Sequence, residues 1–314
     1  MSALGPSESA AETAVPPRRS AVLMTGATYA SVAVAAILIV VKVGAFLVTD
    51  SVALLSTLID SLLDAAASVV NLVAVRQALV PADREHRFGH GKAEALAGLG
   101  QSAFIAGSAV FLIFVAAHRL VDVQPVHNGA VGIAVMALSV VLALGLLRYQ
   151  RYVVRATRSL AIKADALHYL GDVLVNGSVM LSLFLGLEFG WHILDPIFAI
   201  VIAVYIVVNA WLIARQSLDQ LMDRELPDDA RRRIREIALA HPGVVTLHDL
   251  RTRASGPTQF IQLHLEMDPD LTLLRAHEIA DAVELQLQQA FPDAEVMIHE
   301  DPAGIPEPRR SFAR

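Results

Sequence analysis

Two pairs of ionisable residues, each spaced by four and each set in a long apolar run, constrain this chain more than any other feature. In SVALLSTLIDSLLDAAASVVNLVAV, Ser51 to Val75, the only charged residues are Asp60 and Asp64. At about 1.5 Å per residue this run can cross a hydrocarbon core about 30 Å thick. A four-residue offset puts both carboxylates on one helix face, about a turn apart. A carboxylate at bilayer depth costs roughly 2.5 to 3.5 kcal/mol on insertion scales, so two together need a cation, a proton or a water-filled cavity. A second run, ADALHYLGDVLVN at Ala164 to Asn176, repeats the spacing with His168 and Asp172. One intramembrane acid is readily a packing or cavity-lining group; two equally spaced pairs on two spans would leave several such costs uncompensated. Three carboxylates and one imidazole suit a tetrahedral divalent ion, with zinc first and ferrous iron, cadmium or manganese behind it.

Composition agrees with a bilayer. Of 314 residues, 55 % are hydrophobic and only 18 % charged, too apolar a balance for an ordinary soluble domain. The chain has no cysteine, which excludes disulfides, thiolate metal sites and thiol nucleophiles and leaves His and carboxylate as the strong ligands. From Gln216 onward there are 18 acidic and 11 basic residues, so the tail is net acidic and offers no nucleic-acid surface. HExxH is absent, which argues against an intramembrane metallohydrolase and against an enzyme.

Taken in order, residues 1–20 are rich in Ser, Ala, Pro and Glu and are expected to be a disordered arm. Apolar runs at 21–48, 51–75, 95–121, 129–147, 160–187 and 191–214 predict a polytopic membrane protein, with a six-helix transmembrane domain over 21–215. Lys42, near the far end of the first run, reads as a lysine snorkelling to the interface. Gly98, Gly107 and Ser108 read as small residues that let helices approach closely. The loop after the second run, PADREHRFGHGKAE, carries Asp83, His86 and His90. These three suit a metal near a helix end, yet exposed loop histidines commonly bind nothing, and spacing leaves both readings open. A basic run, Arg148, Arg151, Arg155, Arg158 and Lys163, joins Arg18, Arg19, Arg76, Arg84, Arg87 and Lys92 on one side of the bilayer. By the positive-inside rule that side is cytoplasmic, and an even number of spans returns the carboxyl terminus to it.

After a linker at 216–226 the pattern changes. Residues 228–240 read as a helix. Runs at 244–253 and 259–267 read as a hairpin about Ser255-Gly256-Pro257, Leu273 to Ala290 as an apolar helical stripe, and 295–299 as a last strand. The result is an α+β domain over 227–302 in the order α-β-β-α-β, with a disordered tail expected at 303–314. Ile261, Leu263, Leu265 and Met267 alternate with polar residues, which turns His264 away from the apolar face; His299 and Asp301 share one face of the last strand. His248, His264, His277, His299 and Asp301 are five candidate ligands in this one small domain.

LIDSLLD at Leu58 to Asp64, FGHGKAE at Phe88 to Glu94, ADALHYLGD at Ala164 to Asp172, HDLRTR at His248 to Arg253 and IHEDP at Ile298 to Pro302 together resemble the cation diffusion facilitator family, most closely its bacterial ferrous-iron and zinc efflux branch. The likeness runs from Ala21 to Pro302. It implies a transport site at Asp60, Asp64, His168 and Asp172 and a second site at Asp83, His86 and His90. It further implies a binuclear site at His248, His264, His277, His299 and Asp301, with Asp301 bridging, in a metallochaperone-like domain that pairs across a homodimer. Lys92 and Asp223 match a charged pair that interlocks protomers near the membrane surface. Glu300 departs from the resemblance, standing where the similar member has a neutral glutamine. His168 matches the zinc, cadmium and iron branches, manganese branches having aspartate there. The implied function is efflux of zinc, with ferrous iron and cadmium as further cargo. It would proceed by proton antiport and alternating access in the bacterial inner membrane, with both termini cytoplasmic and zinc also regulatory. A metal-gated channel or a sensor without coupled transport is the alternative that keeps the same ligands.

Since the native chain lacks cysteine, orientation is directly measurable. A cysteine introduced at Arg151 is expected to react with an impermeant maleimide only after cells are opened, and labelling of intact cells would reverse the assigned topology.

Overall fold

The structure is a computed structural model and describes residues 17–50, 52–121, 130–189, 191 and 193–305. Of the arm expected over 1–20, residues 1–16 lie outside the described residues, as do the tail beyond 305 and the loop with Pro125 and His127, whereas Pro17 to Ser20 are helical and open the first helix. The chain divides into a helical unit ending at Leu221 and a second unit beginning at Met222.

Among the described residues the helical unit has six long helices: α1 Pro17–Thr49, α2 Val52–Ala78, α3 Lys92–Val121, α4 Ala130–Thr157, α5 Leu160–Phe189 and α6 Leu194–Leu221. Five of them carry a stretch long and apolar enough to cross a membrane by themselves. The sixth, α5, is broken in composition by Lys163, Asp165 and Asp172, and it is the helix most shielded by its neighbours near its start. Ala161, Ile162, Ala164, Asp165, Ala166, Leu167 and Tyr169 are all buried. A span that carries charge is kept off lipid by packing it inside the bundle. The six-span transmembrane architecture follows.

Helix α1 buries one face, Met24 with the small residues Ala27, Thr28, Ser31 and Ala35, while Val40, Leu47 and Val48 are exposed; the three-and-four spacing is that of one helical stripe. Gly98 allows α3 to press on α6, since a Cβ there would fall 2.8 Å from Ser217 Oγ. Gly107 has open space beside it and Ser108 is exposed, so the close approach expected at three positions occurs at one.

The basic run differs from its expected place in a loop. Helix α4 continues to Thr157 because Arg, Gln and Val keep the helix going and the guanidinium heads can reach water on long stems. Only Arg158, at φ 56, and Ser159 separate α4 from α5. The new helix is capped from two sides. Ser159 Oγ accepts from Ile162 N at 3.2 Å, and Glu94 of α3, 3 % exposed, accepts from Leu160 N at 2.6 Å, satisfying two otherwise orphaned amides.

The second unit runs α7 Asp228–Leu239, β1 Thr246–Ser255, β2 Thr258–Met267, α8 Leu273–Ala290 and β3 Ala294–Pro302, the α-β-β-α-β order read from the sequence. The sheet order is β1-β2-β3, with β1 antiparallel and β3 parallel to β2. The hairpin closes through Gly256, at φ 60, and Pro257 between the paired Ser255 and Thr258; glycine takes the positive φ without a Cβ clash. Ile261, Leu263, Leu265 and Met267 all face inward, against Ile234 and Ala238 of α7 and Ile279, Val283 and Leu287 of α8. A bulge interrupts β1. His248 pairs with His264 but Arg251 pairs with Gln262, and Asp249 in the gap has φ 46. One extra residue therefore shifts the face on which β1 presents its side chains.

Removing the α3 cap should loosen α5. Glu94→Ala is expected to destabilise the helical unit by about 1 to 2 kcal/mol, and Glu94→Gln, which keeps an acceptor, by less. Thermal unfolding in detergent reads the difference, and equal loss in both variants would remove the capping role.

Candidate metal centres

Helices α2 and α5 bring three of the four expected membrane ligands together. The ligand atoms of Asp64, His168 and Asp172 all lie within 4.8 Å of one another. His168 Nε2 is 3.0 Å from Asp64 Oδ1 and 3.9 Å from Asp172 Oδ2, with the imidazole 11 % exposed. That nitrogen is buried without an aligned hydrogen-bond donor or acceptor, so proximity to the carboxylate is not a satisfied hydrogen bond. A ring nitrogen between two carboxylates is an arrangement that a divalent cation completes. Asp60 stands apart: it is exposed and outside the group, because one helical turn moves it about 6 Å along α2 from the level His168 reaches.

Lys42 corrects an expectation. It does not snorkel away. Its Nζ donates to Thr57 O at 3.0 Å and to Ser61 Oγ at 2.6 Å, which fixes α1 to α2 on either side of Asp60. The sequence signal for it was a cation inside an apolar run.

The loop between α2 and α3 gathers Asp83, His86 and His90. Asp83 Oδ1 lies 3.3 Å from His86 Nδ1, and Oδ2 lies 3.5 Å from His90 Nε2. The same Oδ1 accepts from His86 N at 2.6 Å and Glu85 N at 2.9 Å. These bonds to the charged form, that from His86 first, hold the Asp83 carboxyl below its ordinary range. His90 Nδ1 approaches Val80 O at 3.3 Å. Both Asp83 and His86 are exposed.

The second unit builds its site from strand register. His248 of β1 is opposite His264 of β2, which is opposite His299 of β3, so three imidazoles form one row across the sheet. Their ring centroids are 5.0 Å and 4.6 Å apart. Two residues along, Glu266 is opposite Asp301. The Asp301 side chain is 3 % exposed and uses both oxygens: Oδ2 lies 2.8 Å from His264 Nδ1 and 3.3 Å from His248 Nε2, while Oδ1 lies 3.1 Å from His299 Nε2. Asp301 Oδ1 is buried without a hydrogen-bond partner. A buried carboxylate facing three imidazoles fits cations held on either oxygen.

Two features of this site escaped the sequence reading. Glu266 Oε1 is 3.1 Å from His248 Nδ1, which orients that ring and leaves Nε2 for a metal. Its only sequence signal was the two-residue step from His264 on the polar face. His277 is not brought to Asp301. It is exposed on α8, 3.8 Å from Glu300 Oε1 and 3.5 Å from Asp281 Oδ2. Strand alternation explains this, since Glu300 points to the opposite face from His299 and Asp301. Lys92 Nζ donates to Leu221 O at 3.3 Å, and Asp223 pairs with Arg253 at 3.4 Å.

Comparison with known proteins places both units. A family model described as the cation efflux transmembrane domain matches residues 28–222, and one described as the cation efflux protein cytoplasmic domain matches residues 226–303. The chain is 47 % identical over 284 residues to the cation-efflux pump FieF of Klebsiella pneumoniae subsp. pneumoniae, covering 90 % of this chain and 94 % of that relative. It is 46 % identical over 292 residues to the cation-efflux pump FieF of Salmonella choleraesuis, covering 92 % and 97 %. A solved structure of CzrB in its zinc form matches 27 % of this chain and 98 % of its own at 34 % identity, with a TM-score of 0.26.

The sheet site makes Glu266 testable. Glu266→Ala is expected to weaken zinc binding by the segment 222–305 by about 10- to 100-fold, the usual loss when a ligand's orienting partner goes, while Asp301→Ala should lower the number of ions bound. Competition with a chromophoric chelator measures both; unchanged affinity in Glu266→Ala would leave His248 oriented by something else.

Proposed function

This chain belongs to the cation efflux, or cation diffusion facilitator, family and is a multi-pass membrane transporter of cations, not an enzyme; on that premise we propose that it exports zinc in exchange for protons through Asp64, His168 and Asp172, working as a homodimer. The observation that carries this reading is the His168 nitrogen lying unpaired between Asp64 and Asp172. Asp60, one turn away, is the fourth donor of the set.

The ligands supply the coupling. Metal needs a neutral imidazole and ionised carboxylates, so its entry expels protons, and protons arriving from the other side expel the metal. Histidine changes charge near neutral pH, which carboxylates ordinarily do not. One nitrogen with carboxylate oxygens favours zinc among divalent ions, with ferrous iron and cadmium as secondary cargo.

In the second unit the same metal is regulatory. His248, His264 and Asp301 hold one ion; His299 and the other Asp301 oxygen hold a second, while His277, beside Glu300 on the helix side of the sheet, stands apart from both. Zinc there would draw the three strands together and clamp the homodimer, with Lys92 and Asp223 as the charged pair between protomers. The loop group at Asp83, His86 and His90 is a further zinc site, exposed enough for capture and release. The location is the bacterial inner membrane with both termini cytoplasmic, resting on the basic side chains at the end of α4.

Zinc flux into proteoliposomes at two imposed pH gradients tests the reading. Wild-type flux should rise with the gradient. His168→Ala should be slower and nearly flat, and Asp172→Ala slower still, since it strips a charge that offsets the desolvation of the cation. A full gradient response in His168→Ala would move the coupling away from this residue.

A further inference from the structure

One buried acid of α5 takes no part in the metal cluster. Asp165 is fully buried, as are Ser31 of α1 and Gln150 of α4, which it joins. Its Oδ2 accepts from Gln150 Nε2 at 2.6 Å and lies 2.5 Å from Ser31 Oγ. Gln150 Nε2 also donates to Ser31 Oγ at 3.0 Å. Ser31 has a single hydroxyl proton and a second acceptor for it, Ala27 O at 3.1 Å. One turn along α5, Tyr169 donates to Ser31 O at 3.1 Å and meets Ser68 of α2 at 3.3 Å. Three helices are thus tied to α5 in one polar layer.

Two atoms of this layer are left over. Asp165 Oδ1 and Gln150 Oε1 are both buried without a hydrogen-bond partner. They are the remaining polar atoms, a second carboxylate oxygen and an amide oxygen, of two planar groups already joined by one bond. A carboxylate cannot donate, and an amide oxygen can only accept. A single proton on Oδ1 answers both deficits: Oδ1–H donates to Gln150 Oε1 while Gln150 Nε2 donates to Oδ2. The two groups then form a closed acid–amide pair.

We infer that Asp165 is a proton-holding site distinct from the transport site, carried as a neutral carboxylic acid paired with Gln150. The titratable groups about it are His168, Tyr169 and Asp172, all on its own helix; among the described residues, α1 and α4 present Ser31 and Gln150 to its carboxyl. Neutrality serves transport in a specific way. An ionised Asp165, one turn from His168, would offer a divalent ion a competing carboxylate. A neutral one ties α5 to α1 and α4 without attracting cargo. Asp165 is therefore a positioning residue, and its role does not depend on which metal is carried.

The infrared spectrum of the full-length protein in lipid tests this at neutral pH. Wild type is expected to show a carboxylic acid C=O band that shifts in D2O and is absent from Asp165→Asn. The Asn side chain reproduces the same cyclic pair, Nδ2 donating to Gln150 Oε1, so zinc flux in Asp165→Asn should stay within about twofold of wild type. Gln150→Leu removes the acceptor and should move the Asp165 band to higher frequency and lower flux by about tenfold or more, as buried polar atoms lose their partner. Loss of an ionised carboxylate band in Asp165→Asn would overturn the inference and assign a bridging water or cation to the two oxygens. Failure of Asp165→Asn to fold or to transport overturns it equally, because a neutral isostere would then not suffice.

Discussion

Moving a carboxylate out of water is the costly step that the helical unit is arranged to offset. At bilayer depth each ionised group costs several kcal/mol unless it is paired, bonded or wetted. Helix α5 brings two aspartates, a histidine and a lysine into the bundle, and its neighbours supply what those groups need. Asp64 of α2 meets His168, Lys42 of α1 is fixed to α2 beside Asp60, and Ser31 and Gln150 hold Asp165. Small residues on the inner face of α1 and Gly98 of α3 let the backbones come close enough for these bonds to form. What remains uncompensated is local: the His168 nitrogen and the carboxylates on either side of it.

The second unit handles the same ligand chemistry with a different scaffold. Its hydrophobic core occupies one face of a three-stranded sheet, and the other face is free to carry polar side chains. Register does the positioning: facing residues on adjacent strands sit about 5 Å apart, within reach of one metal ion. Asp301 lies at the centre, almost wholly buried beneath three imidazoles. Glu266 adds the orienting contact to His248. Helical pairs separated by a hundred residues can slide or tilt relative to one another, whereas a hydrogen-bonded sheet holds its ligands at fixed spacing.

Glu300 shows how a single change alters the edge of such a site without entering it. It points to the helix side of β3, where it faces His277 of α8. A carboxylate there, unlike a neutral amide, gives His277 a charged neighbour. The row formed by His248, His264 and His299 is on the other face and keeps its geometry.

The sequence by itself determined the spans, the α-β-β-α-β order and the helix and strand faces that carry the candidate ligands, because those rest on periodicity. A four-residue offset places Asp60 with Asp64 and His168 with Asp172 on single helix faces, and two-residue alternation sends Ile261, Leu263, Leu265 and Met267 inward and His264 outward. Periodicity is a property of one element at a time. Which elements meet, and at what level, was decided only by tertiary packing. Depth along the bundle set Asp64 rather than Asp60 against His168, and Lys42 turned inward because α2 offered Thr57 O and Ser61 Oγ where lipid offered nothing. A bulge at Asp249 set His248 opposite His264; uninterrupted pairing would have put Asp249 there. A one-residue slip in a strand leaves its composition unchanged but exchanges its faces, so the row of histidines had to come from the folded sheet.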